Sequence, residues 1–305
     1  MSELGHLDPE CSRAAEASVE FVIRARRRDL GGGVSVSRLL PASERRMVGP
    51  FVFFDHLGPI DFGPGQGMDV RPHPHIGLAT VTWSFEGEIL HRDSLGTEQA
   101  IRPGALNWMI AGRGIAHSER TPPALRASGS RTHFLQLWVA LPTRHEEIEP
   151  SFQHHPADSI PALALGAARV RVIAGSSWGV TSPAKVLSPL FYAEAQLPAG
   201  SALELPAEHR ERGLYVVEGA IRCGEHQHAV GTMLVFKSGV TARVAASGPA
   251  RVVVLGGEPL DGPRHVFWNF VSSSTERIER AKRDWREGRF AKIPGDDRAF
   301  IPLPE

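Results

Sequence analysis

Apolar residues recur along this chain in short runs broken by glycine and proline. VEFVIRARR, VSVSRLL and FVFFDHL in the first quarter read as strands separated by turns, as do LATVTWSF, ALNWMI and THFLQLWVAL in the second. ARVRVIAG, PLFYAEAQL, GLYVVEGAI, GTMLVFKSG and ARVVVLGGEPL continue the style. Strands of this length and spacing predict an all-β sandwich or barrel. The clear helix signal is STERIERAKRDWREGRF: Ser274 caps, Glu276 stands in the first turn, and Ile278, Ala281 and Trp285 share a face. This predicts a C-terminal helix packed on a β body, with an irregular tail after Gly295. A weak repeat relates TVTWSFEGEI and IAGRGIAHSE to GLYVVEGAI and GTMLVFKSG, with Glu86-Gly87 and Glu218-Gly219 as matching hairpin turns. Two tandem β units follow, joined by the polar, proline-containing segment TRHEEIEPSFQHHPADSIPAL.

Composition narrows the classes of function. The chain has 305 residues, which suggests two domains, and 42% of them are apolar, enough to bury a sizeable core. Lys+Arg and Asp+Glu both number 34, a balance that disfavours direct binding to nucleic acid or an anionic membrane through overall charge. Cys11 and Cys223 alone exclude a disulfide scaffold and a four-cysteine zinc site, and they fit a reducing compartment. With a polar N-terminal segment and no run of 18 apolar residues, the expectation is a soluble cytoplasmic protein without membrane contact. Fourteen histidines against two cysteines direct any metal toward imidazole and carboxylate ligands.

The most informative segment is Pro72-His73-Pro74-His75. Two histidines at i and i+2 point to the same side of a strand and can reach one ion. Continuing that parity puts Gly77, Ala79, Val81, Trp83 and Phe85 on the ligand face and Thr80, Thr82, Ser84 and Glu86 outside. A second pair with the same spacing, His117 and Glu119, follows the Gly112-Arg113-Gly114 turn. H-x-H alone is common on surface strands. The two pairs together predict an N3O site suited to Fe, Mn, Ni, Co, Cu or Zn.

PHPHIGLATVTWSFEGEILHRDSLG, followed by IRPGALNWMIAGRGIAHSE and LQLWVALP, resembles the pirin family of the cupin superfamily. Most cupins place a glutamate shortly after H-x-H. Here Gly77, Leu78, Ala79 and Thr80 stand there instead. Pirins take their carboxylate two residues after the third histidine, where this chain has Glu119. The resemblance therefore implies His73, His75, His117 and Glu119 as metal ligands. It also implies a bicupin, two jelly-roll (double-stranded β-helix) barrels: a metal-binding domain over 20–145, a metal-free domain over 160–272, and a helix and tail over 273–305. The second half agrees. Pro206-Ala207-Glu208-His209-Arg210 holds no H-x-H, GTMLVFKSGVTARV holds no histidine, and His226 and His228 read as turn residues.

Several pirins are assigned quercetin 2,3-dioxygenase activity. The resemblance implies one mononuclear divalent metal, foremost Fe(2+), with Ni, Mn, Co, Cu or Zn as alternatives. It further implies a flavonol-like aromatic substrate, O2, and Glu119 as catalytic general base. The alternative implied is a redox-responsive regulator that acts through protein partners. Trp83, Phe85, Trp108 and Met109 are candidates for a pocket wall, with barrel core as their plainer role. His91 is a candidate to support the ligands, and His56 to sit near the barrel mouth. His154-His155 reads as solvated linker. Arg24 and Arg26 to Arg28, ahead of Gly31-Gly32-Gly33, read as a solvated strand end.

Overall fold

The computed structural model describes residues 8–31 and 34–304. Gly32, Gly33 and the first seven residues of the polar N-terminal segment lie outside them. The fold is all-β and bicupin, built among the described residues from two large sheets, two four-stranded sheets and one two-stranded sheet. Among the described residues no helix is long and apolar enough to cross a membrane.

Two compact units interleave along the chain. One gathers residues 29–36, 56–157 and 260–305, the other the residues up to Arg28, 37–55 and 158–259. The N-terminal strand Val19–Arg24 enters the second of these because it completes a sheet there, Val22 pairing with Leu234 of strand Thr232–Phe236. A strand edge left without backbone partners is a liability, and this addition removes one. The core of that unit holds Val19, Leu203, Leu214, Leu234 and Val252, all fully buried.

In the other unit a four-stranded sheet faces a larger one. The small sheet runs in the order Asp69–His75, Ile115–Arg120, Ile89–Asp93, Glu98–Ile101. In the larger sheet Leu78–Glu86 lies between Leu106–Ile110 and Ser130–Ala140, and Ser151–His155 adds beyond Leu106–Ile110. Met68, Ile89 and Ile101 meet Phe134 in an apolar cluster of this barrel. The segment expected to be a linker thus holds a strand of the sheet, with Gln153 opposite Trp108.

The C-terminal helix spans Thr275–Arg286 and is capped as expected, the Ser274 hydroxyl accepting from the Arg277 amide at 3.2 Å. Its apolar face, Ile278 and Ala281, packs on Ile76 and Phe270 beside the histidine strand. The tail beyond it is irregular but tied down. The Ile301 amide donates to the Pro72 carbonyl at 2.8 Å, and Asp296 accepts from Ser118 and twice from Arg120.

Gly77 sets the geometry between the two sheets. Its φ of +65° is left-handed, and a Cβ there would lie 2.0 Å from the Val271 carbonyl oxygen. Gly77→Ala should therefore cost about 3 kcal/mol or more, combining backbone strain with a clash against fixed backbone. Urea unfolding of the purified variant checks this; a midpoint equal to that of the native chain would show that Val271 can yield.

Candidate metal centre

The two ligand strands lie side by side and antiparallel, with Ile115 opposite His75 and His117 opposite His73. Spacing by two puts His73 and His75 on one side, and the register brings His117 to the same side from the neighbouring strand. The ligand atoms of the three imidazoles all lie within 4.8 Å of one another. Nε2 of His75 and Nε2 of His117 are 3.1 Å apart. All three side chains are buried. Among the described residues this is the group of His, Cys, Asp or Glu side chains placed to hold a metal ion.

Beyond His117 the register shifts. Glu119 pairs with Val70, so Arg71 and Pro72 on one strand span the single Ser118 on the other. Pro72 has no N–H to give the ladder, which makes this a natural place for a bulge. Glu119 is buried on the same strand as His117, and the Thr82 hydroxyl donates to its Oε1 at 3.4 Å.

Hydrogen bonds behind the imidazoles decide which nitrogen faces the cluster. His73 Nδ1 donates to the Arg71 carbonyl at 2.9 Å, and His75 Nδ1 to the Asn269 carbonyl at 3.1 Å. A carbonyl only accepts, so each Nδ1 carries the proton and each Nε2 keeps its lone pair for the cluster. Burial depresses His73 to about 4, against the opposing pull of the Arg71 carbonyl. Burial, reinforced by the neighbouring imidazoles, holds His75 and His117 well below their ordinary range. Burial raises the Glu119 carboxyl, opposed by His91 and the Thr82 hydroxyl. Three neutral imidazoles thus crowd their donor atoms into one buried spot. Buried lone pairs without a partner are costly, and a divalent cation that takes nitrogen ligands satisfies all three. The donor set fits a metal.

The lining differs from the expected parity. The histidine strand ends at His75, and after Gly77 the strand Leu78–Glu86 belongs to the other sheet, so the alternation restarts. Thr82 reaches Glu119, which places Thr80 and Thr82, not Val81 and Trp83, on the site side. Trp138 lies opposite Thr80 and meets the His75 ring edge-on at 5.1 Å between centroids. Phe152 lies opposite Met109 and stacks on His91 at 4.7 Å. Of the four expected wall residues, Met109 shares this parity. Trp83 and Trp108 are buried on the opposite side of the sheet, and Phe85 has their parity.

The other candidate histidines separate clearly. His91 stands behind His117, its Nδ1 3.4 Å from Nδ1 of His117. His56 is buried against His133, their Nε2 atoms 2.7 Å apart, and outside the three-histidine group. His154 is not a free linker residue; its Nδ1 bonds to Asn107 Oδ1 at 2.6 Å. His226 and His228 lie on strand His226–Ala229 rather than in a turn, and His228 Nε2 bonds to Glu16 Oε1 at 2.9 Å. Arg24 and Arg26 to Arg28 lie on the consecutive strands Val19–Arg24 and Arg26–Gly31.

Comparison with known proteins places the fold. Residues 33–139 match the Pirin family and residues 192–291 the Pirin C-terminal cupin domain. The chain belongs to the pirin family. A pirin-like protein of Caulobacter vibrioides is 50% identical over 292 residues, covering 94% of this chain and 100% of that protein. A crystal structure titled quercetin 2,3-dioxygenase from Acinetobacter baumannii superposes with a TM-score of 0.87 at 31% identity, covering 99% of this chain and 97% of that one. The bacterial pirin YhhW of Escherichia coli, solved in complex with nickel(II), shares the fold at a TM-score of 0.62 and 18% identity, over 77% of this chain and 96% of that one. Within the pirin frame the three histidines fall in the N-terminal match, and no such cluster occurs among the described residues of the C-terminal cupin.

Proposed function

We propose that this pirin is a metal-dependent dioxygenase that opens the ring of a flavonol such as quercetin with O2, releasing carbon monoxide. His73, His75 and His117 hold one metal, and Glu119 is both a fourth ligand and the general base. The observation that carries this reading is the convergence of three buried imidazoles in an aromatic-lined barrel, with the buried Glu119 two residues beyond His117 on the same strand. The Acinetobacter baumannii structure titled quercetin 2,3-dioxygenase, 31% identical over almost the whole chain, supports the choice of substrate class.

A divalent metal in this site, Fe(2+) foremost and Ni, Mn, Co, Cu or Zn by the same donor set, would supply Lewis acidity toward an enolic oxygen, and a redox-active one, unlike Zn, would also supply electron exchange with O2. The chain's own groups do the rest. Burial raises the Glu119 carboxyl, which favours it as the acceptor of the proton of a flavonol 3-hydroxyl. The Thr82 hydroxyl lies 3.4 Å from one of the Glu119 oxygens and 2.8 Å from Gln136 Oε1, so its single proton is shared between the carboxylate and the amide oxygen. Trp138 and Phe152 give planar apolar surface to an aromatic substrate and keep water from the reacting carbon.

Glu119→Gln tests the assignment. The amide keeps the volume and one oxygen but loses the base. With the variant loaded with metal, kcat for quercetin should fall by about 100-fold or more while the three histidines still retain metal. Unchanged turnover would remove Glu119 from the reaction. If native protein binds metal stoichiometrically but neither consumes O2 nor releases carbon monoxide, the non-enzymatic regulator is the better reading.

A further inference from the structure

Two of the three ligand histidines are oriented by backbone carbonyls, and His117 is not. Its Nδ1 faces Nδ1 of His91 at 3.4 Å. His91 and Asp93 lie on strand Ile89–Asp93, which pairs with the ligand strand so that Asp93 is opposite His117 and His91 opposite Glu119. His91 is 3% exposed and Asp93 is fully buried. Asp93 Oδ1 accepts from the amides of Leu95 at 2.9 Å and Thr97 at 3.1 Å, while Oδ2 faces His91 Nε2 at 3.1 Å. Phe152, stacked on the His91 ring at 24° between planes, holds the imidazole in its orientation.

The direction of these bonds follows from their ends. A carboxylate accepts, so His91 gives its Nε2–H to Asp93 and keeps a lone pair on Nδ1. His117 Nδ1–H must then be the donor between the two rings. That leaves the lone pair of His117 on Nε2, 3.1 Å from its counterpart on His75. We infer that His91 is a positioning residue for His117: Asp93 sets the tautomer of His91, and His91 sets the tautomer and ring plane of His117. An imidazole backed by a carboxylate is a stronger acceptor than a peptide carbonyl, so His117 is the most electron-rich of the three ligands. His91 and Asp93 therefore tune metal affinity and, for a redox metal, its potential. This inference rests on the metal-centre reading above.

The test titrates Co(II) into the metal-stripped full chain against a chromophoric chelator, for the native protein and for His91→Phe, His91→Asn, Asp93→Asn and His117→Ala. His91→Phe keeps the stacking on Phe152 but removes the acceptor, and should weaken Co(II) binding by about 10–100-fold. His91→Asn places a carbonyl oxygen where Nδ1 was and should recover most of the affinity. Asp93→Asn touches no ligand and keeps an oxygen for the two turn amides. Its NH2 would donate to His91 Nε2 and force the wrong tautomer, so it should weaken binding about as much as His91→Phe. In the iron-loaded protein both damaging variants should raise the Fe(III)/Fe(II) potential, which a mere packing role would not do. Native-like Co(II) affinity in His91→Phe or in Asp93→Asn overturns the inference. If His117→Ala loses Co(II) while those two bind normally, the positioning role alone falls. If the native chain binds no Co(II), the metal centre falls with it. Circular dichroism confirms that each variant is folded, and the comparison of His91→Asn with Asp93→Asn stands even if His91→Phe does not fold.

Discussion

His117→Ala protein is expected to lose stoichiometric metal binding and, with it, all thermal stabilisation by added metal. The native chain should gain about 4 kcal/mol when free metal stands a thousandfold above its dissociation constant, because only the folded state presents three lone pairs at one point. Losing one of the three nitrogen donors that all lie within 4.8 Å leaves two imidazoles and the proposed Glu119 carboxylate, a set expected to yield its ion to a competing chelator. The fold should persist, since His117 is held by backbone pairing to two neighbouring strands, with His73 and Asp93 as its partners. His73→Ala should behave alike. Metal analysis after dialysis, with calorimetric melts at increasing metal, gives both readings. A variant that keeps its metal, or melts higher with metal as the native chain does, would show that other residues hold the ion.

The second large effect concerns acid. In the metal-free protein, burial and the neighbouring His133 depress His56 to about 3, and burial depresses His73 to about 4. The unfolded chain titrates these groups near 6.5. Between those values the unfolded state binds more protons, so stability falls as pH drops below about 6.5 and levels off only below the folded values. At about 1.4 kcal/mol per unit, His56 accounts for about 5 kcal/mol and His73 for about 3. Asp55 and Glu119 work the other way, because burial raises their folded values. Variants isolate the contribution of His56: replacing His56 and His133 together by Phe and Leu should reduce the stability lost between pH 7 and 4 by about 3 kcal/mol and leave the share of His73, His75 and His117. Urea unfolding of metal-stripped protein across this range measures it. A native stability that stays level down to pH 4 would mean that His56 is not held neutral.

How much of this was legible in the sequence depended on whether local geometry alone decided it. PHPH is readable because spacing by two in a strand puts side chains on one face, and the neighbouring strand brings His117 to that face. The helix from Thr275 is readable because Ser274, the charged turns and the apolar stripe agree. The pocket wall was not readable. Its parity restarts at Gly77, whose left-handed φ ends one strand and opens another in a different sheet. The polar Thr80 and Thr82 therefore face the site, where a continuous strand would have put Val81 and Trp83. Phe152 lay hidden in a polar, proline-containing stretch, and its contact with His91 arises only from pairing with Leu106–Ile110. Nor does the sequence of Val19–Arg24 say that its partner strand lies more than 200 residues away.

O2 consumption with quercetin tests the proposed metal-dependent dioxygenase site most directly. Metal-stripped protein would be reloaded anaerobically with Fe(2+) and, separately, with Ni, Mn, Co and Cu, with His73→Ala/His75→Ala protein as control. O2 uptake matched by carbon monoxide release is expected, dependent on the added metal and lost in the control. Stoichiometric metal binding with no uptake under any of the metals would contradict it.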